Sequence, residues 1–305
     1  MDKIEQNLLE QIADLHEVPQ GAYNIRANGE TAGRSTTENI DIVTKADKPG
    51  IDIIIKAGTK KESVHIPVLL SQTGHQEMVY NDFFVGEDAD VVIVAGCGIH
   101  NGGDEESRHD GIHAFHLAPG ARVRYVEKHY GSGNGNGRRV MNPTTVLDLA
   151  QNAYMEMETT QIKGVTSTKR DTRATLAAGA TLIIKEKLMT HGEQVAETDF
   201  VIDLNGEDAS AHVVSRSVAK DTSRQVFRSC VNGNSRCTAH TECDAIIMDD
   251  ACVSAIPEVT ANHLDASLIH EAAIGKIAGE QLIKLMTLGL SEKEAEEQIV
   301  SGFLK

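Results

Sequence analysis

A turn followed by alanine recurs along the middle of this 305-residue chain, and it restricts the fold more than any other feature. A small or acidic residue precedes the alanine at Asp88-Ala89, Gly120-Ala121, Asn152-Ala153, Gly179-Ala180, Asp208-Ala209 and Asp250-Ala251, with alanine-to-alanine spacings of 32, 32, 27, 29 and 42. Two and four residues after each alanine stand Val91/Ile93, Val123/Tyr125, Met155/Met157, Leu182/Ile184, Ala211/Val213 and Val253/Ala255. Polar residues such as Arg122, Arg124, Glu156, Lys185, His212 and Ser254 lie beside them. Alternation with a period of two, at a fixed offset from a turn, is the signature of a strand with one buried face. Units of this length that repeat are stacked supersecondary structures, and because these units are strands, the expected fold is a β-solenoid. A large β-sandwich is the alternative. The long last interval is read as an extra segment, 218–243, that holds three of the five cysteines.

Composition agrees with a β-rich repeat. Aromatics are 4% with no Trp, Gly is frequent (26) and Pro scarce (6), so the core is built from aliphatic residues between tight turns. Lys and Arg number 29 against 45 Asp and Glu, a net charge of −16, which argues against a nucleic-acid partner. No run of 18 apolar residues is present and the first residues lack the order of a secretory signal, so the expected location is cytoplasmic, with no membrane partner. Five cysteines in such a chain read as thiols or ligands and not as a disulfide framework.

Helical periodicity marks the two ends. Ile4, Leu8, Ile12 and Leu15 share one face of a helix over 3–15, which Pro19-Gln-Gly21 ends. Leu282, Ile283, Leu285 and Met286 predict a helix that stops at Gly289, and Ser291 with Glu294 forms a capping box for another. Ala295, Ile299 and Val300 give this last helix an apolar face, with Phe303 beyond it. These helices either dock a partner or cap the final coil.

Four stretches hold residues able to do chemistry. Gly131–Gly137 lacks the Lys-Ser/Thr of a phosphate loop and reads as a flexible loop, and no nucleotide-binding G-x-x-x-x-G-K-[ST] occurs. Residues 97–116 carry Cys97, His100, His109, His113 and His116, a set compatible with a zinc hydrolase although no spacing matches a tetrahedral signature. Within it, Gly96-Cys97-Gly98 reads as an accessible thiol on a loop. Residues 230–252 hold Cys230, Cys237, His240, Glu242, Cys243 and Cys252, soft and mixed ligands suited to iron–sulfur, zinc or copper, with Cys230 and Cys252 also readable as packing residues. His270-Glu271 stands where the repeat meets the helices.

The order of these features resembles the SufB/SufD family of iron–sulfur cluster assembly scaffolds. The resemblance rests on Leu268-Ile-His-Glu-Ala-Ala-Ile-Gly-Lys-Ile277, Glu280-Gln-Leu, Leu288-Gly-Leu-Ser-Glu-Lys-Glu-Ala295 and Ile299-Val-Ser-Gly-Phe303. It extends to Glu242-Cys-Asp-Ala-Ile-Ile-Met248 and to Val94-Ala-Gly-Cys97 with His113 and Gly120-Ala-Arg-Val-Arg-Tyr125. It implies a right-handed parallel β-helix over 40–265, an N-terminal helix within 1–20 and a helical region over 266–305 that binds a SufC-like ATPase. It further implies that Cys243 is the cluster-building cysteine, that Glu271 and His270 are cluster ligands and that Cys97 accepts sulfur; Cys237, His240 and Glu242 rank lower as metal ligands. A SufB-type cysteine and a SufD-type histidine in one chain, without the long N-terminal part of typical SufB proteins, imply a minimal homodimer. The resemblance makes the chain a non-enzymatic scaffold for a transient iron–sulfur cluster, with a sulfur donor and apo-protein acceptors as further partners. A metal-free solenoid adaptor is the binding-module alternative.

Overall fold

Residues 2–15 and 19–305 are described by the computed structural model. In chain order the elements are α1 (Lys3–Ala13), β1 (Ala22–Ala27), β2 (Glu30–Ser35), β3 (Ile40–Thr44), β4 (Gly50–Ile55), β5 (Lys60–Leu70), β6 (Gln76–Val85), β7 (Asp90–His100), β8 (Ser107–Leu117), β9 (Arg122–Ser132), β10 (Arg139–Met141) and β11 (Thr144–Leu149). They continue with β12 (Tyr154–Lys163), β13 (Ser167–Leu176), β14 (Thr181–Thr190), β15 (Val195–Leu204), β16 (Ser210–Ala219), β17 (Arg224–Gly233), β18 (Thr238–Ile247), β19 (Cys252–Ala261), β20 (Ser267–Gly275), α2 (Gly279–Thr287) and α3 (Glu292–Phe303). Two ten-stranded and facing layers result: one runs β2-β1-β5-β7-β9-β12-β14-β16-β18-β20, the other β19-β17-β15-β13-β10-β8-β6-β4-β3 with β11 beside β13 and β8. Each turn of the chain gives a strand to each layer, and all pairings are parallel except β1 with β2 and β3 with β4. The fold is the expected β-solenoid, of about eight turns.

Five of the six turn–alanine motifs stack at one edge of the first sheet. Each alanine directly precedes a strand, and the residue before it has positive φ: Asp88 (54°), Gly120 (68°), Asn152 (58°), Gly179 (67°) and Asp208 (59°). The Ala121 N–H donates to the Ala118 carbonyl at 3.1 Å, so the positive φ falls at the third residue of a type II turn, which selects Gly, Asn or Asp. The sixth motif is different. At Ala251 the positive φ belongs to Asp249, and the strand that follows, β19, lies in the second sheet. In the first sheet the corner series continues through Cys237, before β18, and Ala266, before β20. Residues 218–243 are therefore one regular coil and not an inserted segment; the interval of 42 arises from a change of sheet.

The ten alternating positions from Val91 to Val213 are all buried in one continuous core, whereas Val253 and Ala255, on β19 at the edge of the second sheet, are half-buried. The few aromatics are concentrated: Phe83 stacks on Phe115 at 4.3 Å and Tyr125 meets Phe115 edge-on at 4.9 Å.

The two ends of the solenoid are treated differently. At the first, α1 lies on the outside of the first sheet and buries Leu8, Leu9, Ile12 and Ala13 against Ile25 and Leu69. The helix stops at Ala13 because Asp14 takes a left-handed conformation (φ 54°), two residues short of the expected end; Met1 and residues 16–18 of the expected 1–20 region lie outside the described residues. At the other end, among the described residues, no strand lies beyond β19 and β20, and sheet structure continues to Gly275, past the expected limit of 265. The capping box at Ser291 and Glu294 is present, and α3 returns Val300, Phe303 and Leu304 onto Val218 and Met248. Helix α2 buries none of its side chains.

Candidate functional site

Strand alternation decides which way each candidate points. In β18, Ala239, Thr241, Cys243 and Ala245 face the interior, and His240, Glu242 and Asp244 face outward. Register carries this into β20: Thr241 pairs with His270 and Glu242 with Glu271. His270 therefore belongs to the inner row, its Nδ1 2.7 Å from Thr241 Oγ1, and Glu271 to the outer row. Cys243 and His270 share the interior at the open end; within one chain Glu271 lies on the opposite face of the sheet.

Cys243 lies in a row of inward residues in strict register, which Ala272 of β20 ends. Ala95, Glu127, Thr159, Glu186, Ser215 and Cys243 are successive partners across β7, β9, β12, β14, β16 and β18. Two charged carboxylates in this row need partners, since an unpaired charge in a dry interior is strongly unfavourable. Arg170, from β13 opposite, places Nη1 2.7 Å from Glu127 Oε2 and Nε 3.9 Å from Glu186 Oε1. Thr198 and Ser215 donate hydroxyls to Glu186 at 3.0 and 2.7 Å. Burial alone would raise the Glu127 carboxyl, but Arg170, His129 and His113 outweigh it and hold it well below the usual range. Cys243, 1% exposed, is pushed up to about 12 by burial, with Glu186 and Asp244 adding to the effect. It is a thiol at neutral pH, and it needs a metal's charge to ionise it.

Cys97 lies at the other end of this interior. It is in strand β7, not on a loop, and is 1% exposed, so the expected accessible thiol is corrected. Alternation turns Gly96 and Gly98 outward beneath α1. A Cβ on Gly98 would stand 3.1 Å from Leu8, and one on Gly96 3.1 Å from Ile12, so the two glycines serve helix docking. Burial, then Glu77 and Glu127, push the Cys97 thiol well above its ordinary value. Its side chain borders a cavity of about 10 Å³ with His109, His113, Glu127 and His129, which is about the room one water needs.

Of the four histidines of the hydrolase alternative, His109 and His113 meet at this cavity, and His100 and His116 do not join them. His100 is near Ser132, His109 bonds Glu77, and His113 lies between Asn81 and Tyr125. His116 faces outward, stacked on Phe84 at 5.0 Å. Burial lowers His113 to about 4, despite Glu127. Glu77 is held at about 2, because His109 and Arg26 overcome the effect of burial. The glycine-rich stretch is not a free loop: a Cβ on Gly135 would lie 2.2 Å from the Gly103 carbonyl oxygen, so glycine there allows one coil to sit on the next. Cys237 is a buried corner residue. Cys252 is exposed, contrary to a packing role, and Cys230 is half-buried.

Glu127, Arg170, Glu186 and Ser215 were not singled out from the sequence. The signal was available: six residues after the corners Ala121, Ala153, Ala180, Ala209 and Cys237 stand Glu127, Thr159, Glu186, Ser215 and Cys243. Extending the frame two residues further than the apolar pairs shows an interior that turns polar.

Comparison with known proteins places this architecture. Residues 70–303 match the family described as SUF system FeS cluster assembly, SufBD core domain. An iron–sulfur cluster assembly SufBD family protein of Methanocaldococcus jannaschii is 28% identical over 83% of this chain and 79% of its own length. One of Methanothermobacter thermautotrophicus is 29% identical over 75% of the chain and 55% of its own length, and one of Archaeoglobus fulgidus 27% over 79% and 65%. The chain thus spans little more than half to about four-fifths of the length of these relatives.

Proposed function

Because the chain belongs to the SufBD family of iron–sulfur cluster assembly proteins, we propose that it is a scaffold on which two copies build a labile cluster at the open end of the solenoid. The observation that carries this reading is the position of Cys243. It is the last polar member of the inward row, one coil below β20, where Ala272 is its register partner and His270 stands two residues along on the same inner face. β19 and β20 leave their outer hydrogen-bonding edges without a strand, and Ile256, Val259 and Ile269 stand exposed on them. Unpaired parallel edges with apolar side chains favour strand addition. A two-fold axis through this end would bring both Cys243 side chains and both His270 rings around one volume. Glu271, at the rim of the same strand, is the carboxylate available from the outer row.

The iron–sulfur cluster is cargo here. Iron supplies the charge that deprotonates the Cys243 thiol, and nitrogen or carboxylate ligation beside it is weaker than a four-thiolate cage, which suits release to an acceptor. Burial of the Cys243 thiol explains why motion is needed: Cys243 is closed off in the resting chain. A SufC-like ATPase docked on α2 could supply that motion through nucleotide-driven closure. Ile283 and Leu288 of that region are 62% and 76% exposed, an apolar surface available to a partner.

Anaerobic reconstitution with ferrous iron and sulfide tests the reading. Cys243→Ser replaces a soft ligand by a poor one with little change of volume, and cluster absorption should fall to near zero. Retention of full absorption in Cys243→Ser, with loss in Cys237→Ser, would move the site elsewhere.

A further inference from the structure

The outer face of the first sheet carries a second constellation that uses no cysteine. His212 of β16 and His240 of β18 are direct register partners, and Glu242 follows His240 by two residues on the same face. One ligand-type atom from each lies within 4.8 Å of the others. Glu242 Oε1 is 3.3 Å from His212 Nε2 and 3.6 Å from His240 Nδ1. Donor atoms around a four-coordinate ion with bonds of about 2.0–2.1 Å stand roughly 3.3 Å apart, so little rearrangement separates this arrangement from a coordination sphere.

Two further details favour a metal over a surface ion pair. The imidazole rings stack at 5.3 Å and 3°. Stacking holds the two rings side by side, which limits the rearrangement needed for both to reach one ion. Behind His240, its Nε2 is shut off from solvent without a hydrogen-bond partner, 3.7 Å from Glu271 Oε1. A carboxylate behind the far nitrogen of a ligating histidine fixes its tautomer and orientation in metal sites.

We propose that His212, His240 and Glu242 bind one divalent first-row transition-metal ion of the zinc or ferrous class. His212 Nε2, His240 Nδ1 and a Glu242 oxygen are the ligands, and Glu271 is the positioning residue behind His240. His212 is on the exposed side of the cluster, so the remaining coordination positions open to water and the ion can exchange. Two imidazoles with one carboxylate suit such ions and disfavour magnesium or calcium, which take oxygen ligands. The site needs neither Cys243 nor a second copy, and shares only Glu271 with the cluster reading.

Cobalt(II) titration of the full-length protein under anaerobic conditions tests it. The expected result is a visible d–d band without thiolate charge transfer, displaced by Zn²⁺ or Fe²⁺ and not by Mg²⁺. His212→Ala and Glu242→Gln should each weaken cobalt binding at least about tenfold, and Glu271→Gln by about tenfold or somewhat less. Circular dichroism should be unchanged, because all three side chains are solvent-facing. Equal affinity in wild type and both ligand variants, or a band with thiolate charge transfer, overturns the proposal. The Cys243→Ser chain should bind cobalt as the wild type does even though it builds no cluster, so the two readings fail separately.

Discussion

The two ends of this solenoid are made from the same kind of coil and differ in what covers them. At the first end, α1 lies across the sheet, β1 and β2 turn back on themselves, and Arg26, Glu77 and His109 are linked by contacts of 3.0 and 3.1 Å. Cys97 is enclosed there. At the other end the last strands are unpaired and Leu264 stands fully exposed. His270 lies on β20 above Thr241, with Cys243 one coil beneath and two residues along. A repeat protein needs distinct terminal units because a stacked coil always leaves two faces. The first end finishes in the antiparallel pairs β1–β2 and β3–β4, with α1 on the flank of β5, β7 and β9, whereas the second finishes in the single parallel strands β19 and β20 with Ile256 and Ile269 exposed, and it is to this second end that the proposed assembly is assigned.

The largest effect is expected between the ends. Arg170 neutralises Glu127 and approaches Glu186, so Arg170→Met leaves buried carboxylates without their cation and should cost about 3–5 kcal/mol in urea unfolding. If stability is unchanged, the inner column is wet and the ends communicate through solvent.

Next comes the open end itself. Ile256→Asp with Ile269→Asp should weaken self-association by about 100-fold, which is about 2.7 kcal/mol, measured by light scattering. Monomer stability should change by no more than about 0.5 kcal/mol per site, since both side chains are half-exposed or more. The same substitution at Ile4, on the closed end, should leave association alone.

A smaller effect is expected at the closed end. Glu77 is held at about 2 against an ordinary 4.5. A depressed carboxyl stabilises the folded chain above its unfolded value, and that contribution is lost as pH falls from about 4.5 toward 2. Glu77→Gln should therefore flatten this part of the acid-unfolding curve, a loss of about 2 kcal/mol or less at pH 6 that vanishes near pH 2. An unchanged curve would mean that the Arg26–Glu77–His109 contacts do not tie the end shut.

Thiol labelling reads the smallest difference. In the folded chain Cys252 should react quickly, and Cys97, Cys237 and Cys243 slowly. For Cys243, raised to about 12, the folded state keeps its advantage below an ordinary thiol value of 9.0 and loses it as pH rises toward 12. Fast labelling of Cys243 at pH 8 would show that the open end exposes it without a partner.

These contrasts also show what was legible in the residues. The corner turns were, because positive φ selects Gly, Asn and Asp and the strand beyond alternates. Residues with the same local chemistry misled where topology differed: Asp250-Ala251 looks like the other corners but starts a strand in the facing sheet. Cys237 was grouped with metal ligands although it occupies an alanine's place in the series. Gly96 and Gly98 looked like a loop, but the helix that requires them lies more than eighty residues away in sequence. His212 escaped notice because the site it completes exists only when coils stack, thirty residues apart in the chain.

The most direct measurement is cluster content of the Ile256→Asp/Ile269→Asp chain, with Cys243, His270 and Glu271 intact, after anaerobic reconstitution beside the wild type. The account predicts that this chain, as a folded monomer with every ligand present, shows little or none of the wild-type visible absorption. A monomer that holds a full cluster would contradict assembly between two open ends.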